Sequence, residues 1–402
     1  MTLDTLRIGS QVEAMAHSLA QRQREAGERI RRALTTLSAT HWQVLLSKET
    51  RSKFTGLAAA PLEALDVRRP APSLGEEYTV VAVDGSHIEI DRHRPVACYL
   101  MNMGGARLRY GPKAEASLTS EPRLYFESED LFISPASGDP VRGGEPLEGL
   151  VFHARRSQKE IEHLARGLSE AEPSSFTLGL VDGSLILWGL SGRGVEDYVR
   201  EALLGKGYLQ ALRAVERLGE ERPLAVAGYT SFPRSTEVVS ALRLALCPWE
   251  ATNCDRCAHH PPTEGRRCMD AAGVLDRELF QSFLAPGQRS ALFANRSRVV
   301  TECYGDQEVY FFYLRGEAEV ARVEVPRWVA EGGWLDMVQG VLLEQCRLGQ
   351  GYPVALSEAH EQAVVTGADR ELFWRIVDQA LTARDIWGDG SQKSRSKRTR
   401  WV

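Results

Sequence analysis

A chain of 402 residues, 43% hydrophobic and 26% charged, has the composition of a globular protein with enough apolar material for one elaborated domain or two. Its 49 Lys and Arg against 54 Asp and Glu leave a net charge of −5, which excludes a general attraction to polyanions; a nucleic-acid partner would need a local basic groove. The start, Met1-Thr2-Leu3-Asp4, lacks the basic and apolar regions of a secretory leader, and no apolar run approaches a membrane span, so a cytoplasmic protein with no membrane contact is expected.

From residue 1 to about 66 the chain reads as helix. Leu6, Ile8, Val12, Met15, Leu19, Ile30, Leu34 and Leu37 recur at helical spacing among Gln, Arg and Glu, an amphipathic stretch in want of a partner face. Residues 1–70 therefore stand apart as an N-terminal helical region suited to dimer or partner contact, and a Pro-rich linker at 68–74 leads into a main domain at 75–385. Residues 78–84 are apolar on both faces, as a central strand should be. Strands at 96–103 and 124–133 follow over short connections, which predicts an antiparallel meander. A helix over 145–168 carries its apolar face on Leu147, Leu150, Val151, Ala154, Ile161, Leu164, Ala165 and Leu168. A second apolar strand at 176–182, a helix at 196–218, a buried strand at 224–229 and a helix at 235–246 come next. Beyond the cysteine-rich residues 247–268, strands are expected at 308–314 and 321–325, and helices at 335–348, 356–365 and 370–383. The final stretch, 391–402, has five basic residues and no acid and reads as a flexible basic tail.

Two triplets, Asp84-Gly85-Ser86 and Asp182-Gly183-Ser184, each end an apolar run, 98 residues apart (84 to 182). An acid at a strand end followed by a glycine turn sets a carboxylate at the rim of a sheet. One such triplet is more simply a tight turn. Two, in a compatible topology, favour half of a divalent-metal site. The order strand–strand–strand–helix–strand resembles the core of the ribonuclease H-like fold, an α/β architecture with a mixed sheet flanked by helices. There the first and fourth strands are neighbours and the crossing helix can add a third carboxylate. Glu160 and Glu162 flank the apolar face of the 145–168 helix on opposite sides, and periodicity does not choose between them; Glu160 also has the spacing of an i, i+4 ion pair with Arg156. Clustered hard oxygen donors suit Mg²⁺ or Mn²⁺, the ions of phosphodiester hydrolysis. Towards the C-terminus, Tyr352 stands beside Pro353, and His360 sits on an expected helix between Leu356 and Val364. A histidine there is commonly packed or exposed; near a metal it serves as ligand or proton-transfer group.

Taken together, Val80–Ser86, Leu180–Leu185, Arg322-Val323-Glu324-Val325-Pro326 and Tyr352-Pro353 with Glu358-Ala359-His360 resemble the NurA nucleases in order and spacing, over about residues 78–383. The resemblance implies a Mn²⁺-dependent DNA nuclease with 5′→3′ exonuclease and single-strand endonuclease activity. It also implies a homodimer that acts with HerA, a hexameric DNA-translocating ATPase, in DNA end resection. By that resemblance the metal ligands are Asp84, Asp182, His360 and Glu160, the helix acid that follows an arginine by four residues, with Tyr352 beside them in the active site. Gly228–Ser235 also fits the family, and Arg234 with Ser235 would meet DNA phosphate at a helix start; a helix cap by Ser235 is the equal alternative. Two further readings belong to other classes: a catalytically silent DNA-binding adaptor of the ATPase complex, and a ribonuclease H-like strand-transfer enzyme using the same carboxylates.

Four of the seven cysteines form the series Cys247-x6-Cys254-x2-Cys257-x10-Cys268. Four thiolates with a C-x2-C centre suit a structural Zn²⁺ or an iron–sulfur cluster. The residues between them, with Arg256, Pro261, Pro262, Arg266 and Arg267, offer little for a hydrophobic core, so 247–268 reads as a metal-stapled insertion.

Overall fold

The computed structural model describes residues 5–94, 96–135, 143–173, 175–192, 194–260 and 265–386, and the basic stretch expected at 391–402 lies outside them. The chain divides into two compact units. One comprises Met1–Ala71, Thr230–Ser297 and Tyr310–Val323; the other comprises Pro72–Tyr229, Arg298–Val309 and Glu324–Val402.

The second unit is built on strands β1 (Tyr78–Ile88), β2 (Tyr99–Tyr110), β3 (Glu115–Tyr125), β4 (Thr177–Asp182) and β5 (Leu224–Thr230). Their spatial order is β5-β4-β1-β2-β3. The first three form an antiparallel meander, whereas β4 pairs in parallel with both β1 and β5. This is the mixed sheet of a ribonuclease H-like core. Strands β1 and β4 are nearly continuous apolar runs because they lie inside the sheet; Val80, Val81, Ala82, Val83, Leu178, Leu180 and Val181 are all buried. Between β3 and β4 runs helix α1 (Gly149–Glu170), which lays Phe152, Ala154, Ile161, Leu164 and Leu168 against the sheet. Each of the buried Phe, Ile and Leu side chains contributes about 1.5–3 kcal/mol. Helices α2 (Leu335–Leu348), α3 (Val354–Ala363) and α4 (Gly367–Thr382) close the unit.

The third strand departs from expectation. It occupies Glu115–Tyr125 rather than 124–133, and residues 128–131 form a helical turn before the short pair Phe132–Ile133 and Glu145–Pro146. Strand β3 is the sheet edge and almost wholly exposed, with Ala116, Leu118 and Leu124 set among polar residues and Pro122 within it, so its apolar signal is weaker than that of the aromatic stretch 125–133. Strand β2 likewise runs on to Tyr110, well past 103.

In the first unit, the expected helix over 1–66 resolves into Thr5–Ala39 and Trp42–Thr50, and the chain then leaves helical geometry for a short strand at Ala60–Pro61. Arg68–Arg69, expected as linker, pairs with Arg289–Ser290. Leu37, Leu45, Leu279, Phe280, Phe293, Phe311 and Tyr313 form the core there. A buried ion pair joins Arg322 to Glu237 at 2.9 Å, with Asn295 donating to the same carboxylate at 3.0 Å. No helix among the described residues is long and apolar enough to cross a membrane.

Candidate active site

Strands β1 and β4 run in parallel with Val83 opposite Val181, the same 98-residue offset that separates the two triplets (83 to 181, 84 to 182). Asp84 and Asp182 therefore follow at one level on adjacent strands. The triplets are otherwise unlike. Asp182 ends β4, and Gly183 turns the chain at a φ of 96°. Strand β1 instead continues through its triplet to Ile88. At Gly85 a side chain would meet Glu160 Oε1 at 2.8 Å, so the glycine makes room for the helix acid rather than bending the strand.

Glu160 is only 5% exposed on the inner face of α1, with Arg156 Nε at 3.2 Å. Burial pushes its pKa up to about 7; Arg156 pulls it down, and the charges of Asp84 and Asp182 raise it again. Glu162 is engaged elsewhere, by Gln158 Nε2 at 2.7 Å and Lys159 Nζ at 2.8 Å. Glu160, and not Glu162, is therefore the helix acid that lies beside the two aspartates.

Asp84 is held from two sides. Its Oδ1 accepts from the Gly85 amide at 2.8 Å, and its Oδ2 lies 2.7 Å from His360 Nδ1. His360 is exposed on α3, which packs directly on β2: a side chain at Gly104 would overlap the Ala359 carbonyl and the Ala363 amide. The far end of α3 is fastened by Asn102, whose amide donates to the Gln362 and Ala363 carbonyls at 2.9 Å each. Its start is fastened by Gln345, buried on α2, which accepts from the Ala355 amide at 3.1 Å. The turn between α2 and α3 uses positive φ at Gln350 (57°) and Gly351 (119°) and delivers Tyr352 to Asp182. Loss of water around its carboxyl raises the Asp182 pKa although the residue as a whole stays exposed, the hydrogen bond from Tyr352 lowers it, and the Asp84 charge raises it again. The Tyr352 ring packs edge-on against Tyr229, centroids 5.6 Å apart.

Glu324 is a positioning residue that sequence reasoning quoted within a motif but gave no role. It is 1% exposed, and its Oε2 accepts from Ser184 Oγ at 2.7 Å and from the Leu185 amide at 2.8 Å, which pins the turn after Asp182. The signal was a carboxylate in the middle of an apolar run, Val323-Glu324-Val325, since such a group is buried only when its oxygens are hydrogen-bonded.

Three carboxylates, of which Asp84 raises the pKa of both others by its charge and Asp182 that of Glu160, with an adjoining imidazole, are the donor types a hard divalent cation takes. As the side chains stand, no three Asp, Glu, His or Cys among the described residues converge closely enough to hold an ion. Asp84 is turned to His360, Glu160 to Arg156 and Asp182 to Tyr352. The donor set fits by chemistry and placement, and ligation requires these side chains to reorient.

In the first unit, Cys247 follows the helix Glu237–Leu246, Cys254 and Cys257 lie on Cys254–His259, and Cys268 on the turn Arg267–Ala271. All four are free and partly exposed, and Cys268 feels the charges of the other three. Lys48 and Arg243 donate to the carbonyls of Cys247 and Cys268 at 2.6 and 3.1 Å, and Arg266 to that of Cys257 at 2.9 Å. Arg234 is exposed, but the Ser235 hydroxyl is paired with Tyr313 Oη at 2.7 Å. The helix that follows is capped by Asp276, whose carboxylate accepts from the Val238 and Val239 amides at 3.1 and 2.8 Å.

The NurA domain model matches residues 78–365, from the start of β1 to beyond α3 and so well over half of the chain. The chain belongs to the NurA family. All five residues brought together above fall within that NurA domain, as do the four cysteines. In structure the chain is similar to the NurA nuclease from Sulfolobus solfataricus, at 16% identity, over 77% of this chain and 86% of that one, with a TM-score of 0.46. It is more distantly similar to the Argonaute of Aquifex aeolicus (10% identity, 72% and 28% covered, TM-score 0.26). A type 1 ribonuclease H with the type 2 active-site motif is similar at 11% identity (43% and 72% covered, TM-score 0.22). No curated protein matches at a significant level. The ribonuclease H-like core of this NurA domain is read from its strand order.

Proposed function

We propose that this NurA-family protein is a metal-dependent deoxyribonuclease, a 5′→3′ exonuclease and single-strand endonuclease, with its centre at Asp84, Glu160 and Asp182. The register that sets Asp84 and Asp182 side by side beneath Glu160 carries the reading. A Mn²⁺ or Mg²⁺ ion held by these carboxylates, with His360 as a further ligand, would offset charge on the scissile phosphate and acidify a water. His360, oriented through Nδ1 by Asp84, has one ring nitrogen left and would use it either as that ligand or, in its place, to move a proton. Tyr352, tied to Asp182, positions the strand. Arg156 neutralises Glu160 until the ion arrives. Arg234 is proposed as a phosphate contact; Ser235 serves there only by giving up its bond to Tyr313.

End-labelled DNA digested with Mn²⁺ tests this, comparing the wild type with Asp84→Ala and Asp182→Ala. Loss of at least a hundredfold in rate by each is expected, and undiminished digestion by both would sink the site. The same assay separates hydrolysis from strand transfer, whose products are joined rather than shortened.

The family also suggests a homodimer working with a HerA-like hexameric ATPase in DNA end processing, and feeding of the strand by that ATPase would account for the absence of a strongly basic balance. We assign the N-terminal helices to that assembly. The four-cysteine segment is proposed as a structural Zn²⁺ site, or an iron–sulfur cluster, with its thiols reoriented. The helix Cys254–His259 buries none of its residues, so something other than a core must hold it. Zinc and iron analysis of protein purified without oxygen decides between them, and protein free of both metals refutes the site.

A further inference from the structure

Phe232 combines three properties that rarely occur together. It has a positive φ of 47°, unfavourable for any bulky residue and more so directly before a proline, Pro233. It is 63% exposed, so no core burial offsets that strain. Its ring also lies on the guanidinium of Arg277, with Cζ 3.7 Å from the ring centroid.

The strained backbone is tethered on both sides. Glu319 accepts from Ser231 Oγ at 2.8 Å and from the Phe232 amide at 3.2 Å. Arg277 Nη1 donates to the carbonyls of Phe232 and Pro233 at 3.3 and 3.4 Å. The same arginine therefore fixes the main chain and backs the ring. The strain at Phe232 is thus held in place by its neighbours and is not offset by burial of the ring.

We propose that Phe232 is a stacking platform for an unpaired nucleobase. The inference rests on the nuclease reading above and deepens it, naming a residue that grips single-stranded DNA. A flat ring backed by a cation and held away from the protein presents a surface that any base can cover, whatever the sequence. Exposed Arg234, two residues on, supplies charge for the adjoining phosphate, while the Glu319 carboxylate is turned to Ser231 and the Phe232 amide.

The test uses full-length protein in EDTA, to prevent cleavage, with a single-stranded oligodeoxynucleotide carrying 2-aminopurine. Phe232→Ala should weaken binding about 5- to 100-fold and abolish quenching of the aminopurine, whereas Phe232→Trp should preserve both. Phe232→Gly relieves the backbone strain and should melt at or above the wild-type temperature while binding as poorly as Phe232→Ala. Unchanged binding and quenching by Phe232→Ala, with a wild type that binds, overturns this inference alone. A wild type that binds no single-stranded DNA overturns the nuclease reading with it. A Phe232→Gly variant that melts well below wild type identifies the residue as structural and also refutes the platform.

Discussion

Glu160 occupies a position where a carboxylate is costly without a cation. Its folded pKa of about 7 lies above the ordinary 4.5, so the folded state binds the proton more tightly. The relative stability that proton confers is full below about 4.5 and is lost as the pH rises through about 7. In metal-free protein, Glu160→Gln should therefore raise stability at pH 8 by on the order of 1–3 kcal/mol, the gain closing towards pH 4.5. Thermal melts in EDTA across that range check it, and a variant less stable than wild type at pH 8 contradicts the assignment. Because binding an ion displaces that proton, Mn²⁺ affinity should fall about tenfold per pH unit below about 7, which titration followed by electron paramagnetic resonance measures. Glu162→Gln, by contrast, removes only an exchange with Gln158 and Lys159 and should leave nuclease activity within a few-fold of wild type in the same end-labelled assay. At this scale the sequence disclosed both aspartates, because a charged residue closing an apolar run is conspicuous. It did not disclose which helix acid joins them. Residues 160 and 162 differ by about 200° around a helix, and only the place where α1 crosses β1 decides which side faces the site.

Among the elements, α3 matters most, since it carries His360 and ends the turn that delivers Tyr352. Its seat is Gly104, where no side chain fits beneath Ala359 and Ala363. Gly104→Val should destabilise the protein by about 1–3 kcal/mol and separate His360 from Asp84, with nuclease activity falling further than stability. Chemical denaturation and the end-labelled assay, measured together, check it; full activity in a folded variant would show that the seat is dispensable. Helical periodicity around Leu356 predicted α3 to within two residues at each end. Strand β3 was misplaced for the opposite reason. An edge strand owes its position to hydrogen bonds with β2 and almost nothing to burial, so Leu118 and Leu124 stay exposed and its alternation is weaker than the aromatic run that follows. The N-terminal helices were legible in type but not in length, because the chain after Thr50 still carries apolar residues, Phe54, Leu57, Leu62 and Leu65 among them, at near-helical spacing.

For the molecule as a whole, Ile8, Val12, Met15 and Leu19 form one exposed apolar face on the N-terminal helix, spaced four, three and four residues apart. If that face pairs two copies, wild type should run as a dimer in light scattering, and Met15→Glu with Leu19→Glu should halve the mass while leaving Mn²⁺ binding at the carboxylates intact. An unchanged mass would assign dimerisation elsewhere. The sequence by itself determined the class of the protein: the helical start, the apolar strands, the acids that close two of them, and the order of elements that marks a ribonuclease H-like core. These are local properties, written in periodicity and in residue type at element ends. Only the tertiary structure decided the rest. The register of β1 on β4 aligned the two aspartates, the crossing of α1 set Glu160 rather than Glu162 beside them, and buried Glu324 holds the turn behind Asp182. The strained ring of Phe232 on Arg277 was equally invisible beforehand. Each is a contact between residues distant in the chain, and which of them meet is set by how the layers pack rather than by any pattern along one strand or helix.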